Sequence, residues 1–133
     1  MEAAVVLVSM LALDFVWIYC LNLRRYMDEI EAIQGRPPQI SAAAAVCAYA
    51  CLFGILYLYA VPAARNASPE LGIGLASISV GAPLGLLVYG MYNFTTKALL
   101  EDYSWPTACL DTLWGGACFS LVCLCALSLE ITN

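Results

Sequence analysis

Residues 81–96, GAPLGLLVYGMYNFTT, and residues 105–116, WPTACLDTLWGG, decide how the chain folds. The first is an apolar helix whose Gly81 and Gly85 form a GxxxG pair, a spacing that lets two helix backbones approach closely in lipid. Pro83 lies between them and frees a carbonyl, which a helix in a bundle tolerates and answers with a kink. Tyr89 and Asn93 are four residues apart and share a face. The second stretch starts with Trp105 at headgroup level and Pro106 in a first helical turn. Asp111, Trp114 and Gly115 then fall on one face. An aspartate in mid-membrane costs about 2.5–3.5 kcal/mol on insertion scales, a cost that favours turning this face into the bundle.

Working outward, the same apolar character fills the chain. Of its 133 residues, 63% are hydrophobic and 11% charged, against roughly 25% charged in an average soluble domain. The mean hydropathy is +0.84. Most of the charges fall in short gaps between four apolar runs at 3–23, 41–61, 72–94 and 106–129. Each run is about 20 residues long, enough to cross a ~30 Å hydrocarbon core. The expected fold is therefore all-α, a transmembrane bundle of four helices. Residues 1–133 form a single transmembrane domain in this reading, with no soluble domain. The first run is too long and too polar in its middle for a cleaved leader, so Met1–Leu23 is expected to remain as a mature span.

The gaps carry their own signals. Tyr26, Ile30 and Ile33 recur at i, i+4, i+7, and Arg25 faces Glu29 at i, i+4. An interfacial helix should thus continue the first span. Gly35 ends it, Arg36-Pro37-Pro38 cannot prolong it, and Ser41 is placed to cap the second span. Pro62 and the segment Ala63–Leu71 read as a loop, within which Asn66-Ala67-Ser68 is a formal glycosylation acceptor close to the membrane. Lys97 can snorkel to the interface. Arg24, Arg25, Arg36 and Lys97 lie in the first and third gaps, against Arg65 alone in the second. Both termini are therefore expected on the non-cytoplasmic side of an integral membrane protein.

Several functions are disfavoured by composition. A net charge of −5 with only five basic residues argues against nucleic acid as a partner. Histidine is absent, and the seven cysteines form no CxxC pair. No metal site or cofactor is expected, and the cysteines read as small apolar residues. No nucleophile, metal set or phosphate loop accompanies the aspartates, so an enzyme is the weaker reading and no catalytic residue is assigned. A lysine for retinal would have to lie in mid-span, whereas Lys97 lies at an interface.

What remains is a polar cluster. Asp14 lies ten residues before Arg24, roughly 15 Å below the surface, and Asp111 lies roughly 8 Å below it. Asp14-Phe-Val-Trp17 and Asp111-Thr-Leu-Trp114 repeat one pattern, D-x-x-W, which puts each acid and an indole on one helix face. We read the echo as similar local physics, not as duplication. Candidate partners for the acids are Asn22, Tyr89, Tyr92, Asn93, Thr95, Thr96, the indoles of Trp17 and Trp114, and water. Gly81, Gly85 and Gly115 are the helix-packing residues. Two functions fit. One is proton-linked handling of a small solute or a lipid headgroup, with bound lipid as the ligand and membrane lipids and further copies of the chain as partners. The other is a non-catalytic accessory subunit of a larger membrane complex, whose small-residue faces pack against its partners.

The ordered set of motifs, Asp14-Phe-Val-Trp17, Gly81-Ala-x-x-Gly85 leading to Tyr89, Tyr92-Asn93-Phe94-Thr95-Thr96, Trp105-Pro106 and Asp111-x-x-Trp114-Gly115, resembles a bacterial family of small four-helix membrane proteins, domain of unknown function 2177. The resemblance covers most of the chain. It implies a membrane-embedded four-helix fold and a role in lipid handling or membrane composition. Its members have an aspartate and an asparagine in a Y-D-L-T-N block where this chain has Asn93 and Thr96, so one acid of the family cluster is missing here.

Overall fold

The computed structural model describes residues 1–131, with side chains through Leu129. Four helices run antiparallel in sequence: α1 (Glu2–Gln34), α2 (Ala42–Leu71), α3 (Ile73–Leu99) and α4 (Trp105–Ile131). All four are long and apolar enough to cross a membrane, and no strand occurs among the described residues. The protein is an all-α transmembrane bundle.

Helix ends follow local chemistry. The Gly35 N–H bonds to the Glu31 carbonyl with φ of 68°, a left-handed cap that glycine adopts without cost. Ser41 caps α2, its hydroxyl accepting from the Ala44 N–H at 3.4 Å. α1 continues through Arg24 and Arg25 to Gln34 as the apolar period indicated, although a π-helical segment, Val16–Asn22, interrupts its α geometry. There the Asn22 side-chain amide donates to the Trp17 carbonyl at 3.0 Å, satisfying an acceptor in the widened turn.

The segment after Pro62 is not the loop its sequence suggested. α2 runs through Pro62 and Pro69 to Leu71, and Gly72 alone, with φ of 76°, separates it from α3. Pro62 lacks the N–H that would bond the Leu58 carbonyl, and the helix answers by widening into a π segment at Leu56–Ala60 instead of ending. Asn66-Ala67-Ser68 is therefore helical, with the Ser68 hydroxyl bonded to the Arg65 carbonyl. α3 likewise passes through Pro83 without a break.

α3 and α4 form the tightest pair because glycine faces glycine. A Cβ built on Gly81 would lie 2.6 Å from the Ser120 Cα, and one on Gly85 would overlap the Gly115 carbonyl oxygen. Gly115 in turn leaves room for the Tyr89 ring, which a Cβ there would strike. α4 is the central helix, half of its most apolar window being buried against 17% for α1 and for α2. The apolar core lies toward the Glu2 end: Val6 and Met10 of α1, Leu56 and Ala60 of α2, Phe119 and Val122 of α4. Arg65 joins α2 to Glu2 there at 2.6 Å, in an ion pair about one-third open to the outside. Of the cysteines, Cys118 and Cys123 are buried and the other five are exposed.

Candidate functional site

The half of the bundle nearer Gln34 is built differently, because its interior carries acids. α1 and α4 cross it in opposite directions. In α1 the order from the Glu2 end is Asp14 and then Trp17; in α4, approached from the same end, it is Trp114 and then Asp111. Antiparallel packing of two D-x-x-W motifs thus sets each indole level with the acid of the other helix. The Trp17 Nε1 donates to Asp111 Oδ1 at 3.1 Å, and the Trp114 Nε1 donates to Asp14 Oδ1 at 3.1 Å. Between the two bonds the indoles stack, with centroids 4.7 Å apart and planes within 1°. This reciprocal exchange is the physical content of the repeated motif.

α3 completes both acids. Tyr89 and Asn93 share a face, as their spacing requires. The Tyr89 hydroxyl donates to Asp14 Oδ1 at 3.3 Å, and the Asn93 side-chain amide donates to Asp111 Oδ2 at 2.8 Å and to the Tyr89 carbonyl at 3.0 Å. Asp14 is 4% exposed and Asn93 fully buried, whereas Asp111, Trp17 and Trp114 are half-buried. The Cys118 thiol lies 4.0 Å from Asp14 Oδ1. All six polar residues singled out from the sequence therefore meet in one cluster, and Gly85 and Gly115 set the α3–α4 approach that brings them together.

Other expected partners lie elsewhere. Asn22 serves the π turn, Tyr92 and Thr95 are exposed, and the Thr96 hydroxyl bonds to the Tyr92 carbonyl. Sequence reasoning missed two phenols. The Tyr26 hydroxyl donates to Asp111 Oδ1 at 2.6 Å, and the Tyr103 hydroxyl donates to Asn93 Oδ1 at 2.6 Å. Tyr26 follows Asn22 by one turn, and that periodicity could have found it; Tyr103 sits in the α3–α4 connection, where nothing in the pattern marks it. Burial pushes the Tyr103 phenol above its ordinary range, helped by the charges of Asp111 and Glu29. Its O–H therefore stays available to orient the Asn93 amide, carbonyl toward Tyr103 and NH₂ toward Asp111.

Above this layer, at the first turn of α4, a second polar set ties α1 down. The Glu29 carboxylate accepts from the Ser104 backbone N–H and, at 2.6 Å, from the Thr107 hydroxyl. The Arg25 Nε donates to the Thr107 oxygen at 3.1 Å, so Arg25 and Glu29 meet through Thr107 and not directly. A carboxylate at the N-terminus of a helix is favoured by the helix dipole. Lys97 bonds the Glu101 carbonyl at 2.6 Å and sits 5.9 Å from the Trp105 ring, anchoring the end of α3.

Among the described residues no Lys or Arg bonds either aspartate, and every buried side-chain nitrogen and oxygen has a partner. A carboxylate offers about four acceptor positions. Three are filled at Asp111, two on Oδ1 and one on Oδ2. Chemically the cluster is an acceptor site walled by aromatic rings, with one acid deep and one half-open.

Residues 1–128 match the model of a family described as a predicted membrane protein, DUF2177. No curated protein and no solved structure matches the chain.

Proposed function

We propose that this chain, which belongs to the DUF2177 family of predicted membrane proteins, handles a small solute or a lipid headgroup at its acid–aromatic centre, with proton linkage through Asp14 and Asp111. The observation that carries the reading is charge imbalance. Two carboxylates lie in one half of an apolar bundle without a bonded base among the described residues, and half-buried Asp111 has three of its about four acceptor positions filled. A cationic group arriving there supplies the missing charge, and indole and phenol rings suit a cation. In this reading the termini face the non-cytoplasmic side, the Arg24, Arg25, Arg36 and Lys97 end faces the cytoplasm, and lipid and further copies of the chain are the partners.

The test is flux. Protein reconstituted into phosphatidylcholine vesicles with an imposed pH gradient should accumulate a lipophilic cation such as tetraphenylphosphonium, and Asp111→Asn should abolish that accumulation while the protein still folds. Accumulation unchanged by Asp111→Asn would remove Asp111 from the mechanism.

A second reading has its own support. The complete pairing of buried polar atoms and the stacked indoles suit a clamp that fixes helix packing in an accessory subunit. Native mass spectrometry of the protein in mild detergent separates the two. Fixed stoichiometry in a larger complex favours the subunit, whereas a homo-oligomer carrying a reproducible lipid or solute favours the handling role.

A further inference from the structure

α1 is longer than a membrane needs. Its 33 residues extend about 50 Å at 1.5 Å per residue, against a ~30 Å hydrocarbon core. The surplus is the arm Leu23–Gln34, which contains no buried residue. It does not pack backbone to backbone on any other helix; its contact is with the π segment Val16–Asn22 at its own root. Three side chains reach across to hold it: Arg25 to Thr107, Tyr26 to Asp111, and Glu29 to Ser104 and Thr107. No ion pair fastens the arm among the described residues. Thr107 is 2% exposed and so gives these contacts a fixed floor. The Tyr26 phenol closes on Asp111, the half-open acid, from the membrane-surface side.

We infer that Leu23–Gln34 is a hinged lid over Asp111, latched by Arg25 and Glu29 on the first turn of α4 and rooted in the π segment Val16–Asn22. A π turn has one residue more than the α-helix needs and marks where a helix can bend. Swinging about it withdraws Tyr26 from Asp111 and opens the Trp17–Trp114 stack to water. The polar latch makes and breaks without exposing core, which is the property a low-barrier opening requires. The lid controls access to the proposed handling site and rests on that site being a place of exchange, yet its motion is read without any ligand. Failure of cation flux with a moving lid would condemn the proposed function alone.

The experiment is acrylamide quenching of tryptophan fluorescence in phosphatidylcholine nanodiscs. Trp105→Phe serves as the background, so that Trp17 and Trp114 alone report. In that background Glu29→Ala and Thr107→Val should each raise the quenching constant at least about twofold, because loss of latch bonds shifts the closed–open equilibrium. Arg24→Ala, exposed and outside the latch, should leave it at the parent value. Parent-level quenching in both folded latch variants, or an equal rise in Arg24→Ala, overturns the lid. If Glu29→Ala does not fold, Thr107→Val and Arg25→Ala carry the same expectation. Loss of the fold in all three would make the arm a fixed part of the bundle and overturn the proposal as well.

Discussion

Replacing Gly85 with alanine puts a methyl group where the Gly115 carbonyl oxygen stands, with the Gly116 Cα only 2.9 Å away. Unstrained carbon contacts lie near 3.5–4.0 Å, so α3 and α4 must part by about 1 Å or more. The obstacle is backbone on both sides, and no rotamer change relieves it. Overpacking of this kind costs about 3 kcal/mol, the upper end of the usual range. Parting the pair also stretches the Asn93–Asp111 and Tyr89–Asp14 bonds, each worth about 0.6 kcal/mol between membrane helices. Against this, alanine gains about 1 kcal/mol over glycine in helix propensity. The net loss comes to about 3 kcal/mol. Gly54→Ala is the control, because nothing lies within 4 Å of the methyl it adds. It should be neutral or stabilising by up to about 1 kcal/mol. Reversible unfolding in mixed micelles by titration with dodecyl sulfate measures both. If Gly85→Ala falls within about 1 kcal/mol of Gly54→Ala, the glycine contact is not what sets the α3–α4 distance.

The other predictions concern single bonds. Trp114→Phe keeps an aromatic ring, though a smaller one, but removes the closest donor to the 4%-exposed Asp14, and should cost about 1 kcal/mol. Trp17→Phe should cost less, since Tyr26 and Asn93 still serve Asp111; equal losses in the same titration would contradict this ranking. Burial raises the Tyr103 phenol in the folded state, so its contribution to stability is complete below about pH 10, its unfolded value, and declines above it. Unfolding measured against pH in parent and Tyr103→Phe should differ by a constant amount up to that point and converge beyond it. Arg65→Ala breaks a partly exposed ion pair with Glu2 and should change stability by less than about 1 kcal/mol, read from the same titrations.

The four spans were legible because an apolar run of about 20 residues with almost no charge has the length and solubility of a membrane crossing and of little else. The arm after Arg25 was legible too, from Tyr26, Ile30 and Ile33 at helical spacing. Pro62 misled, since proline ends helices in water, whereas here a single widened turn absorbs it and α2 goes on to Leu71. At the centre, the sequence named Asp14, Trp17, Tyr89, Asn93, Asp111 and Trp114 because polar groups in apolar runs stand out. It could not say which indole meets which acid. Spacing within a helix pairs Trp17 with Asp14 as readily as with Asp111, and only the antiparallel packing decides. Thr107 and Glu29 were invisible as partners for a similar reason, being ordinary residues near helix ends that meet across 78 positions of chain.

Had each indole bonded the acid three residues before it, the bond would have formed in a lone helix and survived any placement of its neighbour. Exchange between α1 and α4 removes that tolerance. A slip of α1 by one turn, about 5.4 Å, breaks both bonds at once, takes Asp14 away from Tyr89 as well, and leaves Asp111 with Asn93 as its partner. The wrong register is thereby penalised twice, while the right one gains no more than any pair of ordinary bonds. The exchanged motif thus ties the pairing of two acids to one relative height of α1 and α4, and a bundle packed out of register differs from the finished one in polar groups left without those donors in hydrocarbon.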